Sequence, residues 1–488
     1  MSKGSYHRHG TYSTRDTDVT PTRSHAAILH VLLQLLISCA ALCSAHPAYA
    51  QERPHIVYIL ADDLGWNDVG FHRGGLRTPN LDRLAAEGAA LNAFYVQPYS
   101  SQTRAALLTG RYPMRYGLQT LTILPAQRYG LPAEERTLAD VLKESGYRTA
   151  FIGNWLLGHA KPDYWPTRRG FDSFYGSLSG QVEPVLRKTA KADWRRNERP
   201  VKEEGYVTEL MAREAAAVIA RHDAAAPLMV MVAFNTPAQY YGAPKALVDS
   251  YDIVDDTRRS YAAAVTALDT AVGQIVSALE KRQMLANTLI VFHSDNGGAV
   301  PMRFATGDND VQKAAADNGV FREGQGSLYE GGVRAVALAA WPGQIAPKTI
   351  VTEPLHVTDL FVTLANIGGA KLDPAKKLDG VDVRPAIVRA QRTPRKELLL
   401  NVDDFQGAIR VGEWKLIYHS ALPSKTELFD IANDPEEADN KAATYPDRVK
   451  ELLGRLNEAA YDMVPSLYLE ELSAGGRPMF WRSNAPKR

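Results

Sequence analysis

What constrains this chain most is a recurring alternation of short apolar runs with helical patterns. The run HIVYIL, His55 to Leu60, shows no polar alternation, so it suits a strand covered on both faces rather than one with a wet side. RTAFIG, PLMVMVAF (Pro227 to Phe234), TLIVFHS (Thr288 to Ser294) and AVALAAW repeat that texture. Between them lie helical patterns with stop signals. PNLDRLAAEG ends at Gly88 and TLADVLKESG at Gly146, and longer helices are expected over Tyr206 to His222 and Arg258 to Lys281. Strands alternating with helices predict an α/β sandwich with a large, mainly parallel sheet. After about Leu372 the texture changes. ELLLNV, AIRVGEWKLIYH and TELFDI read as antiparallel strands, followed by a helix from about Pro446 to Ala460. The expected division is an α/β domain over 51–371 and a smaller C-terminal α+β domain over 372–488. Asn309 to Gly326 is polar and contains glycine, and reads as a long loop.

Residues 1–50 read as an export signal. A polar, basic stretch to Arg23 precedes the apolar run AAILHVLLQLLISCAALC, and AYA at Ala48 to Ala50 supplies a small-x-small cleavage pattern before Gln51. His30 and Gln34 interrupt the apolar run, which argues against a stable membrane anchor; a lipidated Cys39 is the weaker alternative. Both cysteines, Cys39 and Cys43, fall in this segment, so the cleaved chain has no thiol chemistry and no disulfide in an oxidising compartment. The expected location is periplasmic or secreted. The formal net charge of +1 gives no electrostatic case for nucleic acid.

In open parallel sheets, ligands bind beyond the carboxyl ends of strands. Two such ends are acidic here: the first strand runs into Asp62 and Asp63, and Thr288 to Ser294 runs into Asp295 and Asn296. Either pair alone reads as a turn or a helix cap. Together, in equivalent positions of one sheet, three carboxylates and an amide oxygen suit Ca²⁺ or Mg²⁺. The stretch QPYSSQTRAALLTG places Ser100 and Ser101 at the mouth of a helix, where N–H groups favour an anion. Composition alone makes such a serine an N-cap; next to a divalent cation it becomes a candidate ligand or nucleophile.

Several segments carry a resemblance. HIVYILADDLGWNDVGFHRGGLRTPNLDRLAAEGAALNAFYVQP, RAALLTGRYPMRYGLQ, PTRRGFDSFYGSLSG, SDNGG, SLYEGGVRA, LDGVDV and LFDIANDPEEADN resemble, in this order, motifs of the type I sulfatases of the alkaline phosphatase superfamily, with the texture of the arylsulfatase B branch. The resemblance implies an alkaline-phosphatase/sulfatase-like sandwich and hydrolysis of a small-molecule or carbohydrate sulfate ester. It places the family's oxidisable residue four positions before Arg104, at Ser100. A maturation enzyme converts that residue to formylglycine, whose hydrate attacks the sulfate on a calcium ion. The implied metal ligands are Asp62, Asp63, Asp295, Asn296 and the Ser100 side chain, with Ser100 and Arg104 as catalytic residues.

The departures cluster at the chemistry. Gln102 stands where the family's Cys/Ser-x-Pro-x-Arg core has proline, so a maturation enzyme has an altered target. The family's Gly-Lys-Trp-His-Leu-Gly reads Gly153-Asn154-Trp155-Leu156-Leu157-Gly158, replacing its lysine by Asn154 and its histidine by Leu156. A later histidine falls on Ala238 and a further lysine on Gln325. Asn154 and Gln325 thus stand at substrate-binding positions as neutral amides. His159, three residues past Leu156, is either a replacement base or a structural histidine after the strand. Charge-assisted hydrogen bonds contribute roughly 1.5–3 kcal/mol each, so losing four costs at most about 6–12 kcal/mol, a factor on the order of 10⁴ to 10⁹ in rate. Three functions follow: a sulfatase-family hydrolase of altered or low activity, a metal-stabilised binding protein for an anionic glycan, and a phosphate mono- or diesterase acting through unmodified Ser100.

Overall fold

The computed structural model describes residues 53–474 except 181, 188–192, 224, 239–241 and 301–314, together with 10, 11 and 13. The chain divides into Met1–Glu52 and Arg53–Arg488. The expected cleavage site and the apolar run before it lie outside the described residues, as does part of the expected loop from Asn309.

The apolar runs form one ten-stranded sheet. In chain order its strands are β1 (His55–Asp62), β2 (Ala89–Leu91), β3 (Arg148–Asn154), β4 (Ser173–Ser177), β5 (Arg195–Arg196), β6 (Arg199–Pro200), β7 (Leu228–Pro237), β8 (Thr288–Ser294), β9 (Ala337–Ala340) and β10 (Thr349–Val351). Their order across the sheet is β10-β2-β9-β8-β1-β7-β3-β4-β5-β6. The central five strands, β8-β1-β7-β3-β4, are all parallel. AVALAAW becomes β9, which runs antiparallel to β8 and so departs from the parallel pattern.

Helices cover both faces, which is why β1 shows no polar alternation. Ile56, Tyr58 and Leu60 pack with Ala105–Leu108 of α2 (Ser100–Thr109), with α3 (Leu138–Glu144) and with α7 (Val357–Ile367). Val57, Ile59 and Ala61 pack on the other face with α1 (Pro79–Glu87), α4 (Val207–Arg221) and α5 (Asp256–Lys281). All six β1 side chains are fully buried. The helices follow their caps: α1 stops at Gly88, and Thr137 and Asp140 form a reciprocal capping box at the start of α3.

The C-terminal strands β11 (Glu397–Val402), β12 (Gln406–Val411), β13 (Trp414–His419) and β14 (Lys425–Asp430) make a separate antiparallel sheet. One face packs Leu399, Ile409, Leu416 and Leu428 against Leu452 and Leu456 of α8 (Pro446–Ala460). The other packs Leu398, Leu400, Ile417 and Phe429 against Tyr95, Leu328, Tyr329 and Val333 of the larger body. An ion cluster crosses that seam. Lys415 Nζ lies 2.9 Å from Glu330 Oε1 and 2.8 Å from Glu437 Oε1, with all three side chains enclosed. Glu330 opens a single helical turn, α6 (Glu330–Val333).

Candidate functional site

β1 and β8 are neighbours in register, Ala61 opposite Ser294, so their carboxyl ends deliver the two acidic pairs to one place. Backbone and side-chain bonds lock the junction: Asp295 N donates to Ala61 O (3.0 Å), Leu64 N to Ser294 Oγ (2.9 Å) and Asp63 N to Asp295 Oδ1 (3.2 Å). Asp62, Asp63 and Asp295 each offer an oxygen, and these oxygens lie within 4.8 Å of one another. Burial raises all three carboxyls above the ordinary carboxylate range. The neighbouring carboxylates add to the rise at Asp62 and Asp63, with Asp63 reaching about 7, while Arg104 opposes it throughout. Asn296 donates its Nδ2 to Asp63 Oδ1 at 2.7 Å. Gly297 must be glycine: a Cβ there would lie 1.6 Å from Gly331 O of α6.

Ser100 is the first residue of α2, and its cap is Tyr99, which makes no side-chain capping bond. The N-cap role that composition suggests for Ser100 is therefore not the one the fold gives it. Its hydroxyl faces the acidic site instead and donates to Asn296 Oδ1 at 3.3 Å. One turn on, the buried Arg104 bonds Asp295 Oδ2 at 3.0 Å, approaches Asp62 Oδ2 at 3.5 Å and donates to Asn154 O at 2.8 Å. Ser101 faces elsewhere. Its hydroxyl donates to Leu156 O (2.7 Å) and accepts from Ile123 N (2.9 Å), joining α2 to two loops that wall the site.

Those walls enclose a cavity of about 300 Å³ above Ser100. Asn154 ends β3 in it beside Asp62, with its Nδ2 donating to Gly180 O at 3.5 Å; Gln325 reaches in from its loop and donates Nε2 to Asp63 Oδ1 at 2.6 Å. Leu156, Ala238, Leu121 and Ile123 supply apolar wall. Leu156 holds a left-handed backbone at φ 58°, an uncommon conformation for a leucine, with Ser101 bonding its carbonyl. None of the described residues lining the cavity is lysine, arginine or histidine. His159 does not line it: the imidazole Nε2 pairs with Pro125 O at 3.1 Å, as a structural histidine does.

The comparisons with known proteins agree with this geometry. The family model "Sulfatase" matches residues 54–370. The chain belongs to the sulfatase family. It is 32% identical to arylsulfatase J of Mus musculus over 474 residues, covering 86% of this chain and 77% of that protein. With arylsulfatase A of Homo sapiens the identity is 33% over 472 residues, covering 87% and 89%. The solved structure of Ps i-CgsB in complex with k-i-k-neocarrahexaose superposes with a TM-score of 0.78 at 28% identity, covering 88% of this sulfatase and 99% of that chain. The family hydrolyses sulfate esters and generally uses a metal ion and formylglycine, which suits the buried acidic cluster found here.

Sequence reading missed three parts of this sulfatase's site. Ser101 had no role assigned beside Ser100 until the loops it clips were placed. The wall segment Leu121–Leu124 had one signal, an apolar LTIL run in a stretch without helix or strand. Beneath the acidic ends, Tyr58 hydrogen-bonds His293 Nε2, and burial pushes that imidazole down to about 4.

Proposed function

We propose that this sulfatase is exported and hydrolyses aryl or carbohydrate sulfate esters slowly, on a divalent cation held at the ends of β1 and β8. The observation that carries the reading is the meeting of Asp62, Asp63, Asp295, Asn296 and the Ser100 hydroxyl above Arg104. The donor set fits a hard cation. Three enclosed carboxylates face one arginine, and their mutual repulsion is relieved by a bound ion with oxygen preference, Ca²⁺ ahead of Mg²⁺. When bound, the cation draws electron density from a sulfate oxygen.

The chain's own residues do the rest. Ser100 presents its side chain to the site, as itself or as the formylglycine that a maturation enzyme would make from it. Arg104 offsets carboxylate charge and fixes Asn154 through its carbonyl. Asn154 and Gln325 offer neutral hydrogen bonds to a substrate, while Leu156 and Ala238 offer neither charge nor a proton. That absence of cations supports slow turnover. It also supports a second reading, a non-catalytic protein that binds an anionic glycan. Phosphate ester hydrolysis through unmodified Ser100 ranks third.

Turnover of an aryl sulfate, an aryl phosphate and sulfated oligosaccharides, with and without EDTA, separates these readings. Slow, EDTA-sensitive and Ser100-dependent sulfate release is expected. Binding with no turnover in either form supports the second reading, and preference for the phosphate the third. Peptide mass spectrometry of host protein reports formylglycine as a loss of two hydrogens at Ser100. N-terminal sequencing tests export: the mature chain is expected to begin at Gln51, and a lipidated Cys39 terminus refutes that cleavage.

A further inference from the structure

We infer that Asn154 and Gln325, the amides at the two lysine positions, supply further oxygen ligands to the cation, through Asn154 Oδ1 and Gln325 Oε1. This rests on the cation-dependent reading given above.

Both side chains already touch the carboxylates. Gln325 Nε2 and Asn296 Nδ2 donate to the same oxygen, Asp63 Oδ1, at 2.6 and 2.7 Å, and Asn154 lies beside Asp62 with its Nδ2 donating to Gly180 O at 3.5 Å. Carboxylates without a cation gather N–H donors, and the amides of Gln325 and Asn296 meet that demand at Asp63. The arrangement leaves a residue of strain. Asn154 is 2% exposed, and its Oδ1 is enclosed without any hydrogen-bond donor. Buried carbonyl oxygens rarely stay unpaired. An amide has a donor end and an acceptor end, exchanged by a half-turn about its last bond. The orientation with Nδ2 on Gly180 O strands the Asn154 oxygen beside Asp62, and a cation there would give that oxygen a partner.

Ligand number points the same way. Asp62, Asp63, Asp295, Asn296 and the Ser100 side chain are five protein ligands, whereas Ca²⁺ takes about six to eight oxygens and Mg²⁺ keeps several waters in a strict octahedron. Two amide oxygens fill the larger shell and favour Ca²⁺. Lysine cannot act in this way: an ammonium has no lone pair and repels the ion. The substitutions that weaken anion recognition therefore tighten cation binding.

The test uses chelator-stripped mature protein. Ca²⁺ and Mg²⁺ affinities come from calorimetry, and the number of waters on bound Eu³⁺ from luminescence lifetimes in H₂O and D₂O. Asn154→Ala and Gln325→Ala are each expected to weaken Ca²⁺ about tenfold, to change Mg²⁺ less, and to add about one water to Eu³⁺. Asn154→Asp keeps an oxygen and is expected to keep the wild-type water count, which also covers a failure of Asn154→Ala to fold. Wild-type affinity and water count in either alanine variant removes that residue from the shell and overturns the inference. Asp295→Ala separates the two levels: if it abolishes binding, the cation reading stands whatever the amides do. If the wild type binds neither Ca²⁺ nor Eu³⁺, the cation reading itself fails.

Discussion

Replacing Lys415 by methionine keeps most of the stem's volume and removes one charge from an enclosed cluster at the seam between the two sheets. Glu330 would retain Arg334 at 3.3 Å and the Tyr95 hydroxyl at 2.7 Å. Glu437 would retain chiefly the Glu330 N–H, at 2.6 Å. Breaking a buried pair by deleting one partner costs about 3–5 kcal/mol, because a charge is left behind. The pH dependence follows from Glu437. Burial raises it to about 7 against the pull of Lys415. A carboxyl raised in the folded state makes the protein lose stability as pH climbs from the unfolded value to the folded one. Without Lys415 that folded value moves above 7, so the loss extends further up the scale, at about 1.4 kcal/mol per unit. Glu330 behaves oppositely. Burial acts to raise it, but Lys415, Arg334 and Arg410 outweigh burial and hold it at about 2. Its stabilising contribution is present above its unfolded value and is lost as pH falls toward 2, so the variant forfeits part of it at pH 6 and pH 8 alike.

For the unit Arg53–Arg488, an unfolding entropy of about 2.1 cal/mol/K per residue makes 1 kcal/mol equivalent to about 1 °C in Tm. Calorimetry of Lys415→Met is therefore expected to show Tm lower by about 3–5 °C at pH 8 and by about 1–2 °C less than that at pH 6. Lys415→Met with Glu437→Gln removes the stranded charge and recovers part of the loss at pH 8. Equal losses at the two pH values, or a double variant no better than the single one, would refute this reasoning.

Other outcomes follow from the site. EDTA should lower Tm of the wild type, and Asp295→Ala should remove that sensitivity, as read by calorimetry with and without Ca²⁺. Ser101→Ala leaves Ile123 N–H and Leu156 C=O unpaired, costing about 1–3 kcal/mol, and should lower kcat for an aryl sulfate as the walls loosen. Ser100→Cys with Gln102→Pro, co-expressed with a maturation enzyme, should yield formylglycine by mass spectrometry but little turnover. With Ca²⁺ kept saturating, so that any weaker cation binding at Asn154→Lys is offset, adding Asn154→Lys and Leu156→His should raise kcat/KM further than the first pair did.

The sheet was legible because it is buried on both faces, so β1, β7 and β8 carry continuous apolar runs that helices cannot imitate at that length. Short strands near one margin of the sheet, such as β5 and the edge strand β6, had no such signal, since two paired residues leave no period to detect. Helix α7 escaped notice although its cap, with His356 and Asp359 bonding reciprocally, uses a histidine in place of the usual hydroxyl. The acidic pairs were readable as strand-end ligands, and the structure brings them together. Composition alone did not separate the two serines, and the role of Ser101 was not readable. Ser100 and Ser101 are adjacent in sequence; the resemblance's spacing to Arg104 pointed to Ser100, and the placement of Asn296 and Leu156 shows its hydroxyl towards the carboxylates and that of Ser101 towards the wall.

The charge pattern sets which esters this sulfatase can cleave. Three carboxylates and Arg104 sum to two negative charges; the proposed divalent cation would cancel them, so a sulfate ester would enter a site close to neutral. No lysine, arginine or histidine among the described residues lines the cavity to protonate a departing alcohol, and the carboxyls that line it are the proposed cation ligands. A positioned general acid contributes about 10²–10⁴ in rate, and it matters more as the leaving alcohol becomes more basic. Esters of acidic phenols should therefore retain turnover, while esters of sugar hydroxyls fall away steeply. Plotting log kcat/KM against leaving-group pKa for a series of aryl sulfates should give a strongly negative slope. Leu156→His places an imidazole in the wall and should flatten it, chiefly by accelerating the poorest leaving groups. A shallow slope in the unaltered protein would mean that a proton reaches the leaving oxygen by a route the cavity lining does not supply.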